Sequence, residues 1–358
     1  MKTLLISKSF TLLRKLALKT QIGNVAGKAP ELILEPEEQE KLYGPFGEND
    51  NFFVWRLQNV ICSGLYGGAI INKFNNLYLR FSDFPWGKEL HPSLFLPYLG
   101  RKVKTLDKAI YLITPEAEGN YYHWVVDLMP RLLVLYNYKL SDLENRSIII
   151  HGSIKPYEDD SLALLGVKKY KIVRLKSFET INVKDLIVAD YQDLNIPFPL
   201  WKKQLLRKLN FNGATAAKKK IYLLRGKQAK RQLIGEERLI SIMRELDFDI
   251  IDPQQLSFFE QINVFNQAEI VVSLHGAALT NMLFCKPKTL IIELRSTHLP
   301  PEFYSAIAET YDLSFDTICL PPSNVKKTGY EANKQSLILT EQGVNTLISK
   351  LLKYQVMP

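Results

Sequence analysis

Between residues 219 and 320 short apolar runs alternate with amphipathic stretches: "KKIYLL", "GEERLISIMREL", "DFDIID", "LSFFEQINVFNQA", "EIVVSL", "ALTNMLF", "TLIIEL", "PEFYSAIAETY" and "LSFDTICL". This alternation restricts the fold more than any other feature. The short runs are apolar at consecutive positions rather than at every second one. That pattern predicts strands buried on both faces, as in a parallel sheet with helices on each side. Strands joined by helices in regular succession predict a doubly wound α/β domain. Pro253 and Pro301 stand where helices are expected to begin.

The same alternation reaches back to about residue 109. "AIYLIT" reads as a strand and "YYHWVVDLMPRLLVLYNY" as a helix, followed by strand "RSIIIHG", helix "DDSLALLG", and strands "YKIVRL" and "KDLIVAD". "FPLWKKQLLRKLNFNG" closes this part as an amphipathic helix ending at Gly213, with "ATAAKKK" as a linker. Residues 50–100 hold extra strands and loops. The expected organisation is an N-terminal segment over 1–50 and two α/β domains over 51–213 and 214–358, Rossmann-like, doubly wound and facing a cleft.

Charge narrows the partners. The formal net charge is +9, but residues 201–244 hold 13 basic side chains against only Glu236 and Glu237, so the remainder is slightly acidic. A localised excess of this kind suits one anionic ligand better than a polyanion coat, and the basic loop lacks the interleaved aromatics of a single-strand nucleic-acid binder. The three cysteines, Cys62, Cys285 and Cys319, lie far apart without metal-ligand spacing, which fits a reducing compartment. "MKTLLISKSFTLLRKLALKT" reads either as a helix on an anionic membrane surface or as an ordinary packed helix. No run approaches the roughly 20 apolar residues that a spanning helix needs.

In open parallel sheets ligands bind beyond the carboxyl ends of the strands. Three reactive side chains fall there: Arg225 after "IYLL", His275 after "IVVSL", and Glu293 at the end of "LIIE". The loop "RGKQAKRQ" adds Lys227, Lys230 and Arg231. Arginine's planar fork can hold phosphate oxygens through paired charged hydrogen bonds. Gly276, Ala277 and Ala278 open the next helix without bulk, so that backbone N–H groups can approach an anion. Glu293 suits ribose hydroxyls and also the neighbouring Arg295. Together the group suits a nucleotide diphosphate, while the absence of G-x-G-x-x-G and G-x-x-x-x-G-K-[ST] disfavours dinucleotide oxidoreductases and P-loop enzymes. "DFD", at the start of a strand, falls at the wrong edge for a metal site. In "EGNYYHWVVDLMPRLL", Asn120 can cap a helix that carries His123 and Asp127 one turn apart. That pair reads as a base with its orienting partner, as half of a metal site lacking further ligands, or as a local hydrogen bond.

"GNYYHWVVDLMPRL", "YLLRGKQAKRQLIGEERL", "SLHGAALTNMLFCKP" and "LIIEL", in this order and spacing, resemble glycosyltransferase family 61 over roughly residues 109–295. The family includes plant xylosyltransferases, O-GlcNAc transferases acting on EGF domains, and bacterial enzymes of capsular and surface polysaccharide. The resemblance implies a GT-B fold with an acceptor-side domain over 51–213 and a nucleotide-sugar domain over 214–358. It also implies a UDP-linked donor, a glycan or glycolipid acceptor, and transfer with inversion. It points to His123 and Asp127 as catalytic residues, and to Arg225, Lys227, Arg231, His275, Gly276, Ala277 and Glu293 as donor-binding residues. Ala278 stands where the family's "HGAG" has glycine, and Gly235–Glu236 where it has Asn-Glu.

Asp127, with Glu116 or Glu118 as substitutes, is the expected base. No cofactor is expected to be required, and a divalent metal is compatible with the sequence without being implied by it. The expected location is the cytoplasm, with peripheral contact at the inner membrane. The competing readings are a nucleotide- or polyanion-binding module without turnover, and a glycoside hydrolase.

Overall fold

The computed structural model describes residues 33–34, 41–43, 52–64, 68–72, 77–78, 81, 101–114, 117–137, 142–191, 200–209, 218–225, 231–297, 302–324 and 335–356. The helix expected over residues 1–20, Glu116, and Lys227 and Lys230 of the basic loop lie outside the described residues. The chain forms two compact units. The first comprises Met1–Glu118, Leu135–Ser153 and Tyr170–Gln192, the second Gly119–Val134, Ile154–Lys169 and Asp193–Pro358.

Among the described residues, the first unit is built on a nine-stranded mixed sheet. Its strands are β1 (Ile33–Leu34), β2 (Lys41–Tyr43), β3 (Phe52–Ser63), β4 (Ala69–Asn72), β5 (Leu77–Tyr78), β6 (Arg101–Tyr111), β7 (Ser147–His151), β8 (Ile172–Leu175) and β9 (Glu179–Tyr191). They lie in the order β1-β5-β4-β3-β9-β6-β7-β8, with β2 on β3. The neighbours β9, β6, β7 and β8 are parallel, as the alternation predicts. The other half departs from a doubly wound sheet, because β3 runs antiparallel to β9 and β4 antiparallel to β3. Buried Leu57 between exposed Arg56 and Gln58 is the alternation of an antiparallel strand rather than a continuous apolar run. The phase slips at Asn59, whose φ is 54°. Trp55 and Leu57 before it and Val60 and Cys62 after it nevertheless face one core, matched on β9 by Ile181 and Val183, then Leu186 and Val188.

A buried arginine ties this unit together. Arg146 is 1% exposed, and its guanidinium reaches Asp142 Oδ2 at 2.7 Å, Asp185 Oδ2 at 2.8 Å and the Asp185 carbonyl at 3.0 Å. Arg56 closes on Asp185 from the other side at 2.6 Å. On the next strand His151 is buried, and its Nε2 accepts the Thr114 N–H at 3.3 Å.

The second unit contains β10 (Lys219–Leu223), β11 (Leu233–Ile234), β12 (Asp249–Ile251), β13 (Ala268–Leu274), β14 (Leu290–Ser296), β15 (Ser314–Leu320) and β16 (Leu337–Ile338). Five of them form an all-parallel sheet in the order β12-β10-β13-β14-β15, while β11 and β16 pair separately. In chain order this is a doubly wound 2-1-3-4-5 sheet, whose winding reverses between β10 and β13. Both faces are filled, by residues such as Tyr222, Val272 and Ile292 on one side, so the continuous apolar runs have the outcome they predict.

Its helices are α1 (residues 121–137, in this unit up to Val134), α2 (Pro156–Leu164), α3 (Leu200–Leu206), α4 (Glu236–Glu245), α5 (Phe258–Asn266), α6 (Glu302–Tyr311) and α7 (Glu341–Val356). A capping box starts α5, with Ser257 and Glu260 satisfying each other's backbone N–H groups. "ALTNMLF" is helical as expected, but as a 3-10 segment, Ala277–Phe284. Helix α7 has no counterpart in the sequence reading, although Val344, Leu347 and Leu351 form its buried stripe. Within α1, Pro130 offers no N–H and its ring crowds the carbonyl of residue 126. The turn before it, Trp124–Leu128, accordingly widens to π geometry.

Candidate active site

The reversal of winding between β10 and β13 is where a doubly wound sheet opens a crevice at its carboxyl edge. Arg225 lies just past β10, His275 immediately past β13, and Glu293 on the adjacent β14, in register with Ser273. Three residues expected from separate motifs therefore share one edge of one sheet.

Arg225 is folded back against the turn after β13. Its Nη1 donates to the His275 carbonyl at 2.5 Å, and the guanidinium fills the space over Gly276, where a β-carbon would stand 2.9 Å from Cζ. Gly276 has a φ of 169°, an extended conformation open to any residue, so what a side chain here would meet is the Arg225 guanidinium and not backbone strain. Burial, reinforced by repulsion from Arg231, brings the Arg225 pKa down to about 10. Its Nε is buried without a hydrogen-bond partner. Among the described residues no carboxylate lies within ion-pair distance of it. The charge of Glu236 acts on it in the opposite direction, raising its pKa. Burial raises the Glu236 pKa, against hydrogen bonds from Tyr222 and the Arg225 main chain, and the Tyr222 hydroxyl donates to it at 2.9 Å.

His275 is held from behind. Its Nδ1 lies 2.5 Å from Glu293 Oε1, and Arg295 Nη1 lies 3.9 Å from Glu293 Oε2. Glu293 is 1% exposed, whereas the His275 side chain keeps 19% of its surface open. The carboxylate fixes the ring, and the histidine presents the free edge.

A second pair repeats this arrangement. Asn120 caps α1 by accepting the Tyr122 N–H, which sets the first turn, and His123 Nδ1 reaches Asp127 Oδ2 at 2.7 Å. Again the carboxylate is buried and the histidine partly open, 5% against 24% for the side chains. Lys202 of α3, itself 3% exposed, reaches Asp127 Oδ1 at 3.5 Å. Burial alone would raise the Asp127 pKa, but the His123 hydrogen bond and the charges of Lys202, His123 and Arg131 outweigh it and leave the pKa lowered. The carboxylate is thus ionised and occupied. Among the described residues no group of three His, Cys, Asp or Glu side chains forms a metal-binding cluster around either pair.

Helix α1 reaches this place through specific contacts. The Tyr121 hydroxyl donates to Asn281 Oδ1 at 2.5 Å, Asn281 Nδ2 to Gln261 Oε1 at 2.8 Å, and Trp124 Nε1 to Ser161 Oγ at 2.8 Å. The helix that the sequence reading places in the first domain thereby brings His123 and Asp127 into the same unit as His275 and Glu293. Between the pairs stand Tyr122 and Tyr304, edge to face at 5.9 Å.

Ala277 opens the 3-10 segment, partly exposed. Glu118 is exposed and belongs to the first unit. In the sequence Lys202 is one of the 13 basic residues of 201–244, and Glu236 figures only in that charge count and as a departure from a motif, while Tyr122 and Tyr304 carry no functional signal. An alternating or helical pattern marks Tyr304 as a buried position, but nothing in a single sequence says what its hydroxyl meets.

Residues 121–292 match the family model Glycosyltransferase 61. The chain is similar to the xylan glycosyltransferase MUCI21 of Arabidopsis thaliana, 24% identical over 163 residues, which are 38% of this chain and 33% of that protein. It is also similar to the EGF domain-specific O-linked N-acetylglucosamine transferase of Xenopus laevis, 22% identical over 215 residues, 53% of this chain and 41% of that protein. The matches thus span between a third and about two fifths of the curated relatives' length. Among solved structures, the iron-containing dodecameric glycosyltransferase TibC from enterotoxigenic E. coli H10407 aligns over 90% of this chain and 100% of its own, with 12% identity and a TM-score of 0.34. The matched residues 121–292 hold His123, Asp127, Arg225, Arg231, His275 and Gly276, and the family they match is the one the motifs resemble.

Proposed function

We propose that this protein is an inverting glycosyltransferase that moves a sugar from a nucleotide-linked donor, UDP-linked in the first instance, to a glycan or glycolipid acceptor in polysaccharide synthesis. The observation that carries the proposal is the state of Arg225. A guanidinium desolvated enough to bring its pKa down to about 10, crowded by Arg231, with a buried N–H unpartnered, sits at the carboxyl edge of the strand-order reversal. Burying a charge without a partner is costly, and a bound diphosphate would supply the missing counter-charge.

In this proposal Arg225 and Arg231 hold the diphosphate, assisted by N–H groups at the start of the 3-10 segment at Gly276 and Ala277, which lack acceptors within their own helix. Lys227 belongs to the same basic loop. His275, oriented by Glu293, donates from its open edge to a phosphate or to the departing oxygen. The ribose role expected of Glu293 thus passes to other groups, since its carboxylate is buried against His275.

His123 takes the proton. The acceptor hydroxyl gives it to Nε2 as its oxygen bonds to the anomeric carbon, and the bond from that carbon to the phosphate oxygen breaks with its electron pair leaving on the diphosphate. One displacement inverts the anomeric centre. Asp127 holds the imidazole with Nδ1 protonated, so that Nε2 is the basic nitrogen. The proposal therefore moves the proton from Asp127, the carboxylate expected to accept it, to its histidine, because the carboxylate is buried, ionised and occupied by His123 and Lys202. Losing one charge contact to the diphosphate costs about 3 to 4 kcal/mol in the transition state. A GT-B pairing of the two units, with acceptor recognition by the first, and peripheral contact with the inner membrane belong to the same proposal. Among the described residues no helix is long and apolar enough to cross a membrane.

The test is a panel of UDP-, GDP- and CMP-sugars against the whole protein, scored by thermal stabilisation and by release of free nucleotide with water or oligosaccharides as acceptor. Stabilisation by one class together with nucleotide release is expected. Binding without release under any acceptor would leave a binding module, and no binding at all would remove the donor site.

A further inference from the structure

Tyr304 has no part in the proposed chemistry, yet it touches Gly276, His275 and Tyr122. It lies on α6, beyond the family-matching segment, and is 4% exposed. Its hydroxyl donates to the Gly276 carbonyl at 2.7 Å, the same carbonyl that accepts the Leu279 N–H at 2.9 Å to begin the 3-10 segment. Its ring stands 5.4 Å from the His275 ring and 5.9 Å from that of Tyr122, and Tyr122 in turn stands 5.1 Å from His123. The interplanar angles along this row are 66°, 90° and 86°, so each contact is edge to face, the directional arrangement that aromatic quadrupoles favour. Burial above all keeps the phenol neutral, and it acts as a donor.

A tyrosine needed only to fill space would not require its hydroxyl at the one carbonyl whose own residue carries the Arg225 guanidinium against its Cα. Without that bond the Gly276 peptide, which bears no side chain, is free to turn. Without the ring, His275 and Tyr122 both lose a wall. We propose that Tyr304 is a positioning residue that couples the two histidine–carboxylate pairs: its hydroxyl fixes the Gly276 peptide, and its ring, through Tyr122, sets His123 relative to His275. The use of nucleotide binding as one readout rests on the proposed transferase function, whereas the spectroscopic readout does not.

The experiment compares Tyr304→Phe, which keeps the ring, with Tyr304→Leu, which does not, in the full chain. The chain has five histidines, few enough for assignment of their ring signals by selective 13C labelling and single His→Gln variants. Tyr304→Phe is expected to move the His275 signal, Tyr304→Leu those of both His275 and His123, and neither variant that of His151 in the other unit. In parallel, the dissociation constant for UDP should rise about fivefold in Tyr304→Phe, the equivalent of one hydrogen bond. Tyr304→Leu should lower kcat more than it raises KM. A His123 signal unchanged in Tyr304→Leu overturns the coupling, and a His275 signal unchanged in Tyr304→Phe overturns the role of the hydroxyl. Should Tyr304→Leu fail to fold, Tyr122→Leu breaks the row from the other side and must move His275 as well as His123. If the wild-type protein binds no UDP, the transferase reading fails while the histidine signals still decide the positioning role.

Discussion

The guanidinium of Arg225 occupies the space that a side chain on residue 276 would need. The two residues come from different strands and different motifs, and neither makes sense alone. Gly276→Ala is expected to displace the guanidinium and to cost about 1 to 3 kcal/mol of stability through overpacking. The dissociation constant for UDP should rise at least tenfold, measured by titration calorimetry. An alanine variant that binds UDP as tightly as the parent would mean that the close approach has no part in binding.

The two members of the first pair should separate in their effects. Removing a positioned base costs about 100- to 10,000-fold, so His123→Gln should lower donor turnover within that range while leaving UDP affinity within about threefold, a margin well under 1 kcal/mol. Asp127→Asn should lower turnover as well. It should also destabilise the protein, because buried Lys202 loses its carboxylate and breaking a buried pair costs about 3 to 5 kcal/mol. Turnover by Asp127→Asn at the parental rate would dismiss Asp127 from orienting the base, and turnover by His123→Gln at that rate would dismiss His123 from proton transfer.

Acid should weaken the protein in a window set by His151. Burial, against the Thr114 N–H bond, brings its folded pKa to about 4, below the value of about 6.5 for a free histidine. The unfolded chain therefore binds the proton first. The stability that His151 contributes is complete above about pH 6.5 and is lost as pH falls toward 4, up to about 3 kcal/mol. Asp142, held at about 2 by Arg146, and Asp127, also lowered, lose their contributions only at lower pH. Denaturant titrations across this range should show the decline in the parent and a flatter profile in His151→Gln. A parental slope in the variant would assign the decline to another group.

Arg146→Met should strand Asp142 and Asp185 without their buried partner. The expected cost is about 3 to 5 kcal/mol in denaturant unfolding, with Lys108 and Arg56 still holding the outer sides. A loss below 1 kcal/mol would show that those two suffice.

Much of the second unit was legible because its strands are buried on both faces. "IVVSL" and "LIIEL" need no tertiary information to be placed, and the residue that ends a parallel strand is by construction at the ligand edge, which is how Arg225, His275 and Glu293 could be found. The mixed half of the first sheet was not legible in the same way. The strand from Phe52 to Ser63 slips phase at Asn59, so no single period of two runs through it. Which partner Glu293 and Asp127 take was left open for another reason. A carboxylate one turn or one strand from a histidine can face a ligand or the histidine, and only burial separates the two. Tyr304 and Lys202 look like ordinary helix residues, because what they touch lies about 30 and 75 residues away.

The second unit is assembled from three separated stretches of chain. Its share of α1 leaves the ribosome before the last strand of the first unit, and its central sheet only afterwards. Neither unit can therefore finish folding on its own stretch of sequence. A cut near residue 213 would not liberate a working half: it would part His123 from His275, and the fragment most obviously shaped like a nucleotide-binding domain would lack the residue proposed to start the reaction.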